Sequence, residues 1–385
     1  MRADALGADR PAAPGWTRTL GRLALLVLLV LPATRRWFFD ARLAWLYLML
    51  LAFAVALFVV PIVRALALAQ GVLDRPSGRK AHPRPTPLLG GAAVYLAFAV
   101  TVLANFHFSL GLKGVALGAS VVVAVGLLDD VVGLPPWVRL LAQAAGAAVA
   151  MTYGVWLSVV PFWVPLTVPI NLALTLLWFL IVTNAVQFLD GMDGLAAGLG
   201  VIAGLFFSLA ALQTGQPYLM YLAAALVGAC LGFLPYNFRP GGARIFLGDG
   251  GASFIGFTLA GLAVMGEWSA SDPLVALLTP TLILAVPLFD IVFVGVARIV
   301  QGRVRTLGEW LAYTGRDHIH HRFEALGLSP AQSVLLIYFI AATLGLSAML
   351  LSEAGPRQAW LLLVQAACVL TIVAILEAVG RARTG

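Results

Sequence analysis

Residues 44–69 read AWLYLMLLAFAVALFVVPIVRALALA, a run whose single charge is Arg64. About 20 consecutive apolar residues cross the hydrocarbon core of a bilayer as a helix, so this stretch is long enough to span. The pattern recurs at 88–109, 112–128, 137–158, 170–189, 195–213, 218–235, 252–266, 274–300, 331–352 and 358–379, giving eleven runs. Of the 385 residues 61% are hydrophobic and 11% charged, with mean hydropathy +0.97. Soluble domains carry about 25% charged residues. A soluble globular enzyme, a disordered chain and a disulfide-stapled secreted domain are therefore excluded. The expected fold is all-α: a polytopic integral membrane protein with about 11 transmembrane helices and its chemistry in cytoplasmic loops.

The chain divides into an N-terminal extension (1–43), the membrane domain (44–379) and a short tail (380–385). Within the extension, the apolar stretch 20–33 is short for a span and is followed by Arg35 and Arg36. An interfacial helix is the favoured reading, with an uncleaved signal-like stretch or a twelfth crossing as the alternatives. The net charge of +7 comes from 24 basic and 17 acidic residues. In a chain of this kind basic charge reports orientation and anionic headgroups, so no nucleic acid partner is expected. If the eleven runs alternate, fourteen of the 24 Lys and Arg fall on one side, and only Lys113 and Arg357 in the opposite loops. The positive-inside rule puts the first set in the cytoplasm. The seven arginines before residue 43 argue against an N-terminus on the far side, and the sequence leaves that conflict open. Cys230 and Cys368 both lie in apolar runs and read as packing residues.

Most of the acids fall on the proposed inner face, in five clusters. The first is the loop from Asp74 through Arg75, Arg79, Lys80 and His82 to Gly90-Gly91, whose basic groups suit a phosphate, though a plain positive-inside loop has the same composition. Next, Asp129 and Asp130 end an apolar run in GLLDDVVG, where paired carboxylates are costly unless a cation or hydrogen bonds compensate. Arg139 follows two to three helical turns later. In Asn184-Ala-Val-Gln187-Phe-Leu-Asp190-Gly-Met-Asp193-Gly, the two acids are spaced to face one way, or simply to cap the following helix. The fourth cluster joins Asn237, Phe246 and the glycine-flanked Asp249. The fifth holds three of the five histidines: His318, His320 and His321, beside Asp317 and Arg322. Zinc is the obvious reading of a histidine cluster, but no cysteine is near, and the abundant carboxylates suit magnesium or manganese better. Hydrogen bonding from these histidines to phosphate or sugar oxygens is the preferred reading. Asp290 lies well inside the 274–300 run; an intramembrane acid is a functional candidate, and pairing with an arginine is the structural alternative. His107 stands alone and reads as structural.

Together the segments DRPSGRKAHPRPTPLLGG, GLLDDVVGL, NAVQFLDGMDGLAAG, FLGDGGASFIGF and GRDHIHHRFEALGLS resemble the polyprenyl-phosphate N-acetylhexosamine-1-phosphate transferases, the MraY/WecA/TagO superfamily. They run in that family's order from about residue 72 to 330. The RKAHPRPTPLLGG and DHIHHR segments are similar to the WecA/TagO branch rather than to the branch that accepts UDP-MurNAc-pentapeptide. The resemblance implies transfer of a HexNAc-1-phosphate, GlcNAc-1-phosphate first among the candidates, from a UDP-sugar to undecaprenyl or decaprenyl phosphate, with release of UMP. It implies Mg2+ (or Mn2+) held by Asp249 with Asn237 nearby, and Asp129 and Asp130 as the catalytic carboxylates that activate or position the lipid phosphate. Asp190, Asp193, Asn184 and Gln187 then belong to the nucleotide side, Phe246 stacks on uracil, and Arg139 contacts the diphosphate. His318, His320, His321 and Arg322 hold the diphosphate and amino sugar, with Arg79, Lys80 and His82 as further substrate contacts. Partners on this reading are the UDP-sugar, the polyprenyl phosphate, membrane lipids and, as a homodimer, a second copy of the chain. The location implied is the bacterial cytoplasmic membrane with the active site facing inward.

Two positions depart from the family pattern. Gln187 stands where asparagine is usual, and Ala252 where serine is frequent, with Ser253 beside it. The first 40 or so residues have no counterpart. A phospho-MurNAc-pentapeptide transferase and, more distantly, a transporter or flippase remain the alternatives. A transporter would gather its charges near the bilayer midplane and often repeat its halves.

Overall fold

The computed structural model describes residues 15–75, 85–105, 109–269, 273–304, 306, 309 and 317–384. Arg79, Lys80, His82 and His107 lie outside them. The described chain is helical apart from its turns and one two-stranded ribbon, as the sequence predicts. The helices are α1 (Gly15–Val30), α2 (Pro32–Asp40), α3 (Ala44–Gln70), α4 (Gly90–Asn105), α5 (Leu110–Val132), α6 (Pro136–Thr152), α7 (Thr167–Phe188) and α8 (Leu195–Gln213). They continue with α9 (Pro217–Asn237), α10 (Gly248–Met265), α11 (Pro273–Ile283), α12 (Ala285–Val300), α13 (Ile319–Ala325), α14 (Pro330–Ser352) and α15 (Pro356–Thr384). The ribbon pairs β1 (Leu73–Asp74) with β2 (Thr86–Pro87) antiparallel.

Each of the eleven apolar runs contains helix among the described residues, but the helices are not equally long. Among the described residues, eight helices are long and apolar enough to cross a membrane. Among the described residues, run 88–109 forms the 16 residues of α4, and run 137–158 the 17 of α6. Run 274–300 is broken into α11 and α12, bent by 84°. Pro287 explains the break. Lacking an N–H, it gives the Ile283 carbonyl no partner, and its ring would clash with that carbonyl in a continuous helix. In the first turn of a fresh helix the same proline is tolerated.

α8 and α10 are buried along most of their length, and α9 packs between α3 and α8. α10 lies against α5 and α7. The C-terminal ends of α3, α5, α7 and α9 come together with the N-terminal ends of α4, α6, α8 and α10. Val72 C=O accepts from Leu88 N, and Gly90 N and Gly91 N donate to the carbonyls of Phe246 and Leu247. This end of the bundle carries the acids.

α1 runs beside the bundle, antiparallel to α3, and not across its ends as an interfacial helix would. The Tyr47 hydroxyl donates to Leu29 C=O at 3.1 Å, while the Arg22 guanidinium sits 5.4 Å from the Tyr236 ring, whose hydroxyl reaches Leu57 C=O. At the opposite end, residues 153–166 join α6 to α7 without helix. Two side chains of α7 bind this loop's backbone: Thr175 accepts from Leu157 N at 2.8 Å, and Asn171 both accepts from Val160 N and donates to Val160 C=O. Phe162 and Trp163 at its tip are 87% and 73% exposed.

Candidate active site

The site is built on helix termini. α5 ends at Asp129-Asp130, with Gly133 in a left-handed conformation reversing the chain. Pro136 then starts α6, whose first turn carries Arg139. α7 delivers Asn184 and Gln187 to its last turn, and the Leu189–Gly194 loop carries Asp190 and Asp193 into α8. α10 begins at Gly248-Asp249.

Arg139 is the hub. Its Nη1 lies 3.0 Å from Asp249 Oδ2 and 3.3 Å from Asp129 Oδ2, bridging carboxylates 120 residues apart in sequence. Asp249 Oδ1 accepts from Gln187 Nε2 at 2.8 Å, and Gln187 Oε1 accepts from Ser253 Oγ at 3.2 Å. The longer glutamine stem thus still delivers an amide to Asp249, and Ser253 supplies the hydroxyl. Asp129 Oδ1 also takes the Leu134 N–H. The Asp249 side chain is 43% exposed, open to a ligand, whereas that of Asp129 is 6% exposed.

Asp130 differs from its neighbour. Its two oxygens accept the Asp249 N–H at 2.7 Å and the Gly250 N–H at 3.2 Å, capping α10 from another helix. Gly248, at φ +78°, makes this approach possible, since a Cβ there would lie 2.6 Å from Asp130 Oδ2. Expected as half of a catalytic pair, Asp130 has both oxygens committed to holding the backbone under Asp249. Asn237 shows a similar change of role. Expected beside a metal, it is buried with its Oδ1 taking Gly194 N–H at 2.6 Å and its Nδ2 donating to Ile245 C=O at 3.0 Å. It ties the loop before α8 to the loop before α10. Asp193 does likewise through Ala243 N–H at 2.7 Å.

Asp190 is half-buried in the same cluster. Burial, then the charges of Asp249, Asp130 and Asp193, push its carboxyl well above the usual range. Four neighbouring carboxylates stay ionised together only with cations among them. Arg139 is one such cation. All the donors are hard oxygens, and magnesium commonly takes one or two carboxylates and completes its shell with water and substrate phosphates. Among the described residues no three His, Cys, Asp or Glu form a ligand set by themselves. Asp249, far more open than Asp129, with Asp129 or Asp190 beside it, fits a magnesium ion of that kind.

The histidine segment docks from the other side. Arg298 of α12 grips Asp317 with two 2.7 Å bonds. Burial opposes the Asp317 charge, but the hydrogen bonds and charge of Arg298, with a further contribution from His318, hold its carboxyl below the ordinary range. Asp290 pairs with His318, not with an arginine as the structural alternative supposed: Oδ2 is 2.7 Å from Nδ1. His320 is 1% exposed and lies against Gly191, where a Cβ would fall 2.3 Å from its Nε2. Burial, then the His321 and His318 charges, hold its imidazole well below the usual value. His321 lies 3.4 Å from Glu324, and Arg322 is buried. Phe246 is half-buried where the 238–247 loop meets the ribbon, its N–H donating to Pro87 C=O at 2.8 Å.

Two residues of this region escape the sequence reading. Gln143 accepts from Asn184 Nδ2 at 2.6 Å; its spacing four residues after Arg139 is the only hint that it shares that face. Tyr338, whose hydroxyl donates to Gly194 C=O at 2.6 Å, carries no signal in its apolar run.

Residues 112–267 match glycosyl transferase family 4. A Bacillus subtilis protein described as a probable undecaprenyl-phosphate N-acetylglucosaminyl 1-phosphate transferase is 35% identical over 306 residues, 77% of this chain and 82% of that protein. A decaprenyl-phosphate N-acetylglucosaminephosphotransferase of Mycolicibacterium smegmatis is 33% identical over 359 residues, 84% of this chain and 86% of its own. An Escherichia coli undecaprenyl-phosphate alpha-N-acetylglucosaminyl 1-phosphate transferase is 29% identical over 309 residues, covering 78% and 82%. With its apolar bundle, the acids gathered at one end and these relatives along most of its length, the chain belongs to glycosyl transferase family 4, in the polyprenyl-phosphate GlcNAc-1-phosphate transferase branch.

Proposed function

We propose that this protein transfers GlcNAc-1-phosphate from UDP-GlcNAc to a polyprenyl phosphate, releasing UMP, at the cytoplasmic face of a bacterial plasma membrane. The observation that carries the reading is the joining of Asp129 to Asp249 through Arg139, with Gln187 donating to Asp249, at one end of an apolar bundle. The relatives' names support the substrates, and the fourteen-to-two split of Lys and Arg between the two sides supports the facing.

The reaction exchanges one phosphoric anhydride for another, so its difficulty is bringing two polyanions together. Arg139 neutralises and orients phosphate oxygens at the mouth of the site. Asp249 and one neighbouring carboxylate would hold magnesium, which supplies charge neutralisation to the diphosphate and the leaving UMP. The acceptor is a phosphomonoester with a second pKa near 6, largely dianionic at neutral pH. Deprotonation by a base is thus less needed than orientation, and Asp129, fixed by Leu134 N–H and Arg139, orients the attacking oxygen. Attack is direct, without an aspartyl intermediate. Asp190, Asp193 and Phe246 face the nucleotide; His318, His320, His321 and Arg322 serve the diphosphate and amino sugar.

UMP release measures the reaction. Purified protein in liposomes with undecaprenyl phosphate and magnesium should release UMP fastest from UDP-GlcNAc, against UDP-GalNAc and UDP-MurNAc-pentapeptide. Preference for the pentapeptide donor would move the protein to the other branch. No UMP from any donor would refute the transferase reading.

A further inference from the structure

Asp290 is an acid in an apolar run to which the transfer scheme assigns no task. It sits in the second turn of α12, just past the 84° break, and is fully buried. Its Oδ1 accepts the Ile319 N–H at 2.8 Å, while its Oδ2 lies 2.7 Å from His318 Nδ1. About two turns further along the same helix, Arg298 holds Asp317. One helix therefore grips three consecutive residues, 317–319, and fixes where the His318 ring stands.

The chemistry of the contact fixes more than position. A carboxylate is an acceptor, so the hydrogen between it and His318 belongs to Nδ1. Nε2, on the opposite edge of the ring, is left as the nitrogen that can meet a ligand. That ring lies beside Phe188, centroids 5.6 Å apart, immediately before the loop of Asp190 and Asp193. Capping a short helix needs only a neutral acceptor, and asparagine would serve. The second oxygen on Nδ1 is the contact for which a carboxylate matters, because it balances a positive ring when Nε2–H is donated to a phosphate oxygen.

We infer that Asp290 is a positioning residue for phosphoryl transfer: it holds the His318 ring by its Nδ1–H and balances the positive ring whose Nε2–H is donated to the donor's diphosphate. The inference rests on the transferase reading above. No proton changes hands in this role; His318 contributes a hydrogen bond and charge.

Asp290→Asn is the decisive variant. Its side-chain oxygen can still cap Ile319, but its NH2 group faces Nδ1 and moves the ring hydrogen to Nε2. Expected are a fall in kcat of about 100-fold or more, a KM for UDP-GlcNAc within about threefold of wild type, and an unchanged thermal midpoint. Ring-15N spectra of His-labelled protein, with the His318 signal identified by its loss in His318→Gln, should show the hydrogen on Nδ1 in wild type and on Nε2 in Asp290→Asn. In a His318→Gln background, Asp290→Asn should cost less than about twofold further. Wild-type kcat in Asp290→Asn, an unmoved ring hydrogen, or an equal cost in both backgrounds would overturn the inference. Failure of the underlying reading looks different: wild type would release no UMP, while the ring spectrum would still report the tautomer.

Discussion

The adjacent aspartates at the end of α5 have different duties, and substitution separates them. Asp130→Asn would turn an amide donor toward the Asp249 and Gly250 N–H groups, so the thermal midpoint in detergent should fall by the equivalent of about 1 kcal/mol, the usual worth of a helix cap, together with activity. Asp129→Asn should leave the midpoint near wild type and lower transfer by about 10²-fold, the scale of one lost charge-positioning contact; recovery of its rate at raised pH would make it a base after all. Asp249→Asn should lose at least as much and lose its response to added magnesium. Turnover at the wild-type level with a normal magnesium optimum would remove Asp249 from the metal site. His320 gives a pH test. Its folded-state pKa lies below that of the unfolded chain, so the unfolded chain binds the proton first as pH falls. Stability should drop below about pH 6.5, by at most about 1.4 kcal/mol per pH unit for one proton. Melting curves from pH 7.5 to 5 should flatten in His320→Gln. Sequence alone located all these residues but could not divide Asp129 from Asp130, because that division depends on where the first amides of α10 arrive from 119 residues away.

Between elements, one close seam runs where α5 meets α10. Gly126 and Gly250 let the two backbones touch: a Cβ on Gly126 would lie 2.5 Å from Gly250 Cα. Backbone cannot yield as a side-chain tip does, so Gly126→Ala should cost about 1–3 kcal/mol and spread Asp129 from Asp249. Thermal midpoint and UMP release should fall together; a variant with both unchanged would show that the seam is loose. The helices themselves were legible from periodicity-free apolar runs, since in lipid a backbone must satisfy itself. The break at Leu284 was not. Its cause, Pro287, was visible, but apolarity continues across it and hides the turn. The pairing of Gln143 with Asn184 was equally hidden, because a lone glutamine in an apolar run does not announce its partner.

For the whole molecule, the alternation of runs gave the correct gathering of acids at one end, because short loops leave antiparallel neighbours no other arrangement. It could not assign Arg64, which the structure puts at that same end through its Nε donated to Arg244 C=O at 3.0 Å. Single cysteines at Gly241 and Ser158, in a background lacking Cys230 and Cys368, should react with an impermeant maleimide from opposite faces of sealed vesicles. Labelling of both from one face would contradict the bundle's polarity.

The loop opposite the site has a consequence for how the molecule sits in its membrane. Asn171 and Thr175 have already matched the Val160 and Leu157 amides, Pro161 and Pro165 have none to match, and the aromatic tip points outward. A turn so equipped loses little on dehydration, and Trp rings favour the headgroup level. It would work as a float line: settled at the water boundary on its own end of the bundle, it would fix how deep the aspartate cluster rides at the other.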